Sequence, residues 1–350
     1  MASSRHVLVA AAWPYVNNSL HLGHVAALLP ADIIARYHRQ RGDSVLYVSG
    51  SDCHGTPITI RAEQEGVPPR DLAQRYHDEF VATLIDGLGF SYDLYTKTMG
   101  QFHIKTVQAI FSRLFEQGWL IEETQNLPFC SNCQRFLPDR YVEGECPHCH
   151  ASGARGDQCD HCSSLLDPRQ LISPACKTCH QPPQWRDSQH LFLDLPKFEP
   201  RLRQWLESGV QKRWRQNACG INAGWLSKGL EKRPITRDTS WGVPIPDSFP
   251  DFASKVVYVW FEAVCGYFSA SKEWAEIQGH PDAWQSFWQN PDAVHYYVHG
   301  KDNVPFHTII WPAILMGLSW DLQLPTVIAS SEYLQFRGAK ASKSGGGKLY

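Results

Sequence analysis

Eight cysteines stand in four Cys-x-x-Cys pairs, Cys130/Cys133, Cys146/Cys149, Cys159/Cys162 and Cys176/Cys179. No long helix or strand can run through a stretch so marked; it must be built of short turns that bring thiolates together. Two such pairs supply the four ligands of a tetrahedral zinc site, so eight thiolates predict two zinc ions. A zinc ion with four protein ligands has no open position, so the region 130–179 reads as structural and dependent on metal for its fold. Spacing alone leaves the pairing open. The pairs can join sequentially, or the inner two can share one ion and the outer two the other, closing the short HASGARGDQ loop first. The flanking His148, His150, His161 and His180 are expected to be exposed turn residues, since the cysteines fill both sites. Of the eleven cysteines only Cys53, Cys219 and Cys265 lie elsewhere, isolated and of the small core type. Such clustering argues for metal in a reducing compartment rather than a disulfide framework.

On either side of this stretch, strand and helix signals alternate. HVLVAAA and DSVLYVSGSD read as strands. LHLGHVAALLPADIIARYHRQRG reads as helix, with Pro30 expected to break it in two. DLAQRYHDEFVATLIDGLG and HIKTVQAIFSRLFEQGW carry apolar residues at helical spacing. After the cysteines, PRLRQWLESGVQKRW reads as an amphipathic helix, and KVVYVWFEAV, AVHYYVHG, PFHTIIWPAILMGL and TVIASS restore the alternation. The expected fold is therefore α/β: a Rossmann-like, doubly wound parallel sheet interrupted by a zinc-knuckle insertion. The expected division is 1–118 for the first half, 119–235 for the insertion with its knuckles at 130–179, and 236–350 for the second half. Hydrophobic residues make up 43% of 350 residues, enough for a sizeable core, and a formal net charge of -2 does not mark the chain as a binder of nucleic acid, while leaving room for a local basic patch. No apolar run of about 18 residues predicts a membrane span. The N-terminal apolar run leads straight into the first motif and reads as a buried strand rather than a signal peptide, so a cytoplasmic location is expected.

The first strand ends in WPYVNNSLHLGH, which sets His21 and His24 at a strand-to-helix corner with Gly23 between them. They can be core imidazoles, metal ligands lacking a third partner, or phosphate ligands at a helix N-terminus, where free N–H groups and the dipole attract anions. Gly23 lets backbone approach a ligand closely. At the far end, KASKS places Lys340 and Lys343 on a glycine-rich segment whose ammonium groups can close over a triphosphate. Together the two segments read as halves of one ATP site.

These two segments, HLGH and KASKS, resemble the paired motifs of class I aminoacyl-tRNA synthetases. The segments AAWPYVNNSLHLGH, YVSGSDCHGTPITIRA, FLPDRYVEGECPHC, WRDSQHLFLDLPKF, ITRDTSWGVPIP, YVWFEAVCGY and GKDNVPFHTIIWPA resemble the methionyl-tRNA synthetase family, in family order. The resemblance implies activation of methionine by ATP, with Mg2+, to methionyl-adenylate and pyrophosphate. Transfer to the terminal ribose of tRNA(Met) follows. It assigns His21, Gly23, His24, Lys340 and Lys343 to ATP and its phosphates, and Asp52, paired with Arg237, to the substrate ammonium. It places Ala12, Trp13, Tyr15, Trp260, Ala263, Tyr267, Asn303 and His307 around the thioether. It also favours the nested zinc arrangement: Cys146, Cys149, Cys159 and Cys162 on one ion, and Cys130, Cys133, Cys176 and Cys179 on the other. Trp13 stands where many members have leucine, and Val264 and Cys265 where proline and isoleucine are usual, so a shifted amino-acid preference is one expectation; Ala341 stands where methionine is usual, a backbone-loop position where tolerance is expected. Family members continue into a helical anticodon-reading domain, so a chain ending at Tyr350 is expected to be the catalytic portion. Two other readings compete: a truncated paralogue activating methionine or a related amino acid for a non-tRNA acceptor, and a zinc-dependent RNA-binding protein without catalysis.

Overall fold

The computed structural model describes residues 5–336 and 339–340, apart from positions 157, 158, 160, 163 and 165. The chain forms two compact units. One comprises Met1–Leu120, Asp194–Arg233 and Val259–Tyr350, the other Ile121–Leu193 and Pro234–Tyr258.

The first unit is built on five strands: β1 (His6–Ala11), β2 (Ser44–Ser51), β3 (Leu94–Lys97), β4 (Val294–Gly300) and β5 (Val327–Ser331). They lie in the order β5-β4-β1-β2-β3, every pair parallel. Val9 of β1 sits between Tyr47 of β2 and Tyr296 of β4. Val7 to Ala11 are fully buried, as expected of a central strand covered on both faces. The chain winds from β1 through β2 to β3 on one side and later through β4 to β5 on the other. The order therefore reverses between β1 and β4, and the crevice beyond their carboxyl ends is where a doubly wound sheet binds ligands.

Its helices are α1 (Leu22–Gln40), α2 (Thr56–Glu65), α3 (Pro69–Val81), α4 (Gln101–Glu116), α5 (Leu195–Glu207), α6 (Gln216–Ser227), α7 (Val259–Ile277) and α8 (Trp311–Leu318). Helices α5 and α6 follow the cysteine-rich stretch in sequence but belong to this first unit. One expectation fails: α1 is not broken at Pro30 but runs through it. Proline removes a single i to i−4 hydrogen bond, and burial of Leu28, Ala31 and Ala35 along the helix carries it across the gap.

The second unit is antiparallel. Strand Leu120–Cys130 lies between Gln184–Leu193 and Arg135–Phe136, and Val142–Glu145 lies between Ala154–Arg155 and Ile172–Cys176. A buried ionic cluster pins Gln184–Leu193 to the chain after Thr236. His190 Nε2 is 2.9 Å from Asp238, Ser188 Oγ donates to Asp238 at 2.8 Å, and the Lys255 ammonium contacts both Asp238 and Ser188. Burial opposes ionisation of Asp238, yet His190, Lys255 and Ser188 hold its carboxyl down at about 2.

No helix among the described residues is long and apolar enough to cross a membrane.

Candidate active site

The carboxyl ends of β1, β2 and β4 lead into Ala12, Trp13, Tyr15, Asp52 and Asn303, five of the residues singled out in the sequence. The chain leaving β1 hydrogen-bonds to the chain leaving β2: Asp52 N–H donates to Pro14 O at 3.0 Å and Val16 N–H to Asp52 O at 3.1 Å. This brings Tyr15 beside Asp52. Tyr15 meets Trp260 edge-on, ring centroids 6.0 Å apart, and Trp260 stacks on Phe306 at 4.5 Å. Trp260, Ala263 and Tyr267 recur at helical spacing and so share a face of α7. Ala12 caps the end of β1 by donating its N–H to Val298 O at 2.9 Å.

Trp13 lies in a slot made by two glycines. A Cβ on Gly50 would stand 2.4 Å from Trp13 Cζ3, and one on Gly266 2.7 Å from its Cζ2. Its ring faces His103 at 6.0 Å and the edge of Tyr267 at 6.5 Å. Nearby, His307 Nδ1–H donates to Asn303 O at 2.8 Å, so its Nε2 accepts the Tyr267 hydroxyl at 2.8 Å. Burial, then the neighbouring His299, hold the His307 pKa well below the usual histidine range and the ring neutral. Val264 and Cys265, two of the departures, are buried, and the Cys265 thiol turns back to Phe261 O at 3.3 Å.

Asp52 is 4% exposed, and among the described residues its side chain has one hydrogen bond, a long one of 3.3 Å from the His54 N–H. No basic side chain of its own unit pairs with it among the described residues. Burial, then the nearby Glu262 charge, push its carboxyl well above the usual range. A buried carboxylate without a cation is costly to ionise. A cation placed beside such a group favours its anion. Arg237 belongs to the second unit, where its guanidinium lies 3.8 Å from the Tyr258 ring centroid and donates to Thr236 O at 3.1 Å.

The two corner histidines have a structural role that the sequence did not reveal. His21 is the N-cap of α1: its Nδ1 accepts the Gly23 N–H at 3.0 Å, while His24 Nδ1 accepts the His21 N–H at 3.2 Å. This reciprocal pair works like a Ser-x-x-Glu capping box. Because each Nδ1 accepts, each neutral ring must carry its proton on Nε2. The helix has no acidic residue in its first turn and has His38 and Arg39 in its last, so its positive end is left for an anion. Lys340 lies on a two-residue strand whose backbone pairs Gln335, and Lys343 lies outside the described residues.

In the second unit the eight thiols form two nested groups, Cys130, Cys133, Cys176 and Cys179 in one and Cys146, Cys149, Cys159 and Cys162 in the other. All sulfurs of a group lie within 4.8 Å of one another. Sγ pairs stand at 3.3 and 3.9 Å in the first group and at 3.8 and 3.7 Å in the second. A tetrahedron with metal–sulfur bonds of about 2.3 Å has edges of about 3.8 Å, so either group can hold an ion. The turns are alike: Gln134, His150 and His180, each just after the second cysteine of its pair, take positive φ of 50°, 57° and 60°. The flanking His148, His150, His161 and His180 are all exposed.

The sequence reading missed His54, His103, Glu262 and Ser269, which form a buried network behind Asp52. Glu262 was the legible signal, a lone charge in the apolar run of YVWFEAVCGYF.

Taken together, a parallel sheet whose order reverses beside its first strand and a helix end ready for an anion describe a doubly wound, Rossmann-like class of α/β protein. A model of the family described as tRNA synthetases class I (M) matches residues 7–349, and the chain belongs to that family. Curated relatives include the methionine–tRNA ligase of Dehalococcoides mccartyi, 53% identical over 342 residues, 97% of this chain and 61% of the relative. That of a Roseiflexus species is 52% identical over 345 residues, 97% of this chain and 58% of the relative. The chain thus spans about three fifths of the length of the curated relatives it matches. Among solved structures, a Mycobacterium tuberculosis methionyl-tRNA synthetase in complex with methionyl-adenylate aligns with TM-score 0.73 at 24% identity. It covers 99% of this chain and 60% of that one.

Proposed function

We propose that this chain activates methionine with ATP, giving methionyl-adenylate and pyrophosphate, and passes the methionyl group to the terminal ribose of tRNA(Met). The observation that carries the reading is Asp52: a buried carboxylate without a basic partner in its unit among the described residues, beyond the carboxyl ends of β1 and β2 and beside aromatic walls. Methionine offers what that site lacks. Its ammonium balances Asp52, and its uncharged, polarisable thioether suits the edges of Trp13, Trp260 and Tyr267. The relatives named as methionine–tRNA ligases support the same choice.

In the first reaction the methionine carboxylate attacks the α-phosphorus of ATP in line, forming the acyl–phosphate bond as pyrophosphate leaves. No protein nucleophile is needed; the chain's task is to position the reactants and stabilise charge spreading over the phosphates. The Nε2–H groups of His21 and His24 are the donors for the phosphates, beside the α1 N-terminus. Lys340 and Lys343 are assigned to the same phosphates, with ATP entering as its Mg2+ complex. Zinc fills the two thiolate groups and supplies structure only, since four cysteines leave no position for substrate.

The test is ATP–pyrophosphate exchange over a panel of amino acids. Exchange that depends on methionine supports the reading. Exchange driven by another amino acid, or none by any with zinc bound, contradicts it. Acylation of tRNA(Met) by an exchange-competent chain then tests the second step.

A further inference from the structure

Behind Asp52 the three-residue turn 52–54 is tied to two helices by polar groups that no solvent reaches. His54 Nδ1 lies 2.7 Å from Glu262 Oε1, so the ring donates to the carboxylate while the His54 backbone N–H reaches Asp52 Oδ1. Glu262, on α7, is 0% exposed. Its other oxygen faces His103 Nε2 of α4 at 3.4 Å, and neither atom has another partner among the described residues. The far side of His103 is fixed as well. Ser269 Oγ donates to Gly266 O at 3.0 Å, so it can only accept from His103 Nδ1–H, at 2.8 Å. With Nδ1 protonated, His103 Nε2 and Glu262 Oε2 would oppose lone pairs unless one proton lay between them.

We propose that Glu262, clamped between His54 and His103, is a positioning residue for Asp52: it fixes the 52–54 turn so that the Asp52 carboxylate meets the substrate amine. The proposal rests on the reading of Asp52 as the amine subsite. Through His54, Glu262 sets the direction of the one N–H that orients Asp52. Through its charge, it also opposes Asp52 ionisation until an ammonium arrives. The other titratable groups close by are the Cys53 and Cys265 thiols and the Tyr267 phenol. Burial first pushes each of these above its usual range, so none of the three carries charge near neutral pH.

The experiment compares D52N, E262L and E262Q by methionine-dependent pyrophosphate exchange as a function of pH. E262L removes both anchors, and KM for methionine should rise roughly ten- to hundredfold, the scale of leaving buried hydrogen-bonding groups unpaired, with kcat and KM for ATP nearly unchanged. E262Q keeps an acceptor for His54 and offers an N–H to His103 Nε2. It should bring KM back to within about threefold of the parent at neutral pH. It should also shift the acid rise of KM to lower pH, because the negative neighbour of Asp52 is gone. A folded E262L with the parent's KM, while D52N is impaired, overturns the proposal. So does an E262Q whose acid rise stays in place, and this second readout decides alone where E262L does not fold. If D52N itself leaves KM for methionine unchanged, the amine-site reading falls and takes the proposal with it.

Discussion

Replacing Asp52 by asparagine keeps the side chain's shape and its acceptor for the His54 N–H, and removes only the charge. Asp52 is 4% exposed and has no basic partner in its unit among the described residues, so a bound ammonium would depend on this carboxylate for its compensation. Stripping one partner from a buried ion pair costs about 3 kcal/mol or more, which corresponds to roughly 150-fold in KM for methionine. KM for ATP should change little, because His21 and His24 lie at a different helix end. Two pH effects follow, with definite signs. Burial and then Glu262 raise the Asp52 pKa, so the parent's KM for methionine should rise as pH falls from a point above the usual carboxylate range, and D52N should lack that rise. For folding, a carboxyl with a raised native pKa gives up its proton more readily in the unfolded chain. The native state is penalised once pH exceeds the unfolded pKa, and the penalty vanishes in acid. D52N should therefore melt at a higher temperature than the parent at neutral pH, and the gain should disappear below about pH 4. Exchange kinetics and thermal melts over a pH series measure both. A change of less than threefold in KM for methionine, or an equal rise in KM for ATP, would refute the assignment.

Other expectations bear on the remaining parts. Elemental analysis should find two zinc ions per chain; C146S and C130S should each lose one, with loss of structure in the second unit on chelation. Lys343→Ala should slow adenylate formation by about 100-fold, the scale of one preorganised charge contact, and a loss under threefold would rule that role out. His21→Ala should cost about 1 kcal/mol of stability by removing the N-cap, whereas His21→Asn should keep the cap and still lose exchange activity. Gly266→Ala should destabilise by about 1–3 kcal/mol, since its Cβ would stand 2.7 Å from the Trp13 ring, and a second change, Trp13→Leu, should restore most of that in denaturant titrations.

Much of the scaffold was legible because its signals are local. β1 reads as a strand because Val7 to Ala11 form an unbroken apolar run, which a doubly covered central strand requires. The four Cys-x-x-Cys pairs read as metal ligands from their spacing, two residues between the thiols of each, whereas which pairs share an ion is a matter of the fold that spacing leaves open. Pro30 misled because a local rule about one hydrogen bond ignores the burial that holds the rest of α1 together. The capping role of His21 and His24 was hidden because the familiar box uses a hydroxyl and a carboxyl, and imidazole Nδ1 can replace both. The Glu262 network was out of reach for another reason. His54, His103 and Glu262 come from three distant elements, and only the packing of α4 and α7 around the sheet brings them together.

The account's central claim is that one crevice, at the carboxyl ends of β1 and β2, holds the amine at Asp52 and the phosphates at the start of α1. A crystal structure with methionine and a non-hydrolysable ATP analogue tests it most directly. The account predicts the ammonium nitrogen within hydrogen-bonding distance of Asp52 and phosphate oxygens on the imidazole Nε2 atoms of His21 and His24. Methionine bound away from Asp52, or a triphosphate that leaves both histidines untouched, would contradict it.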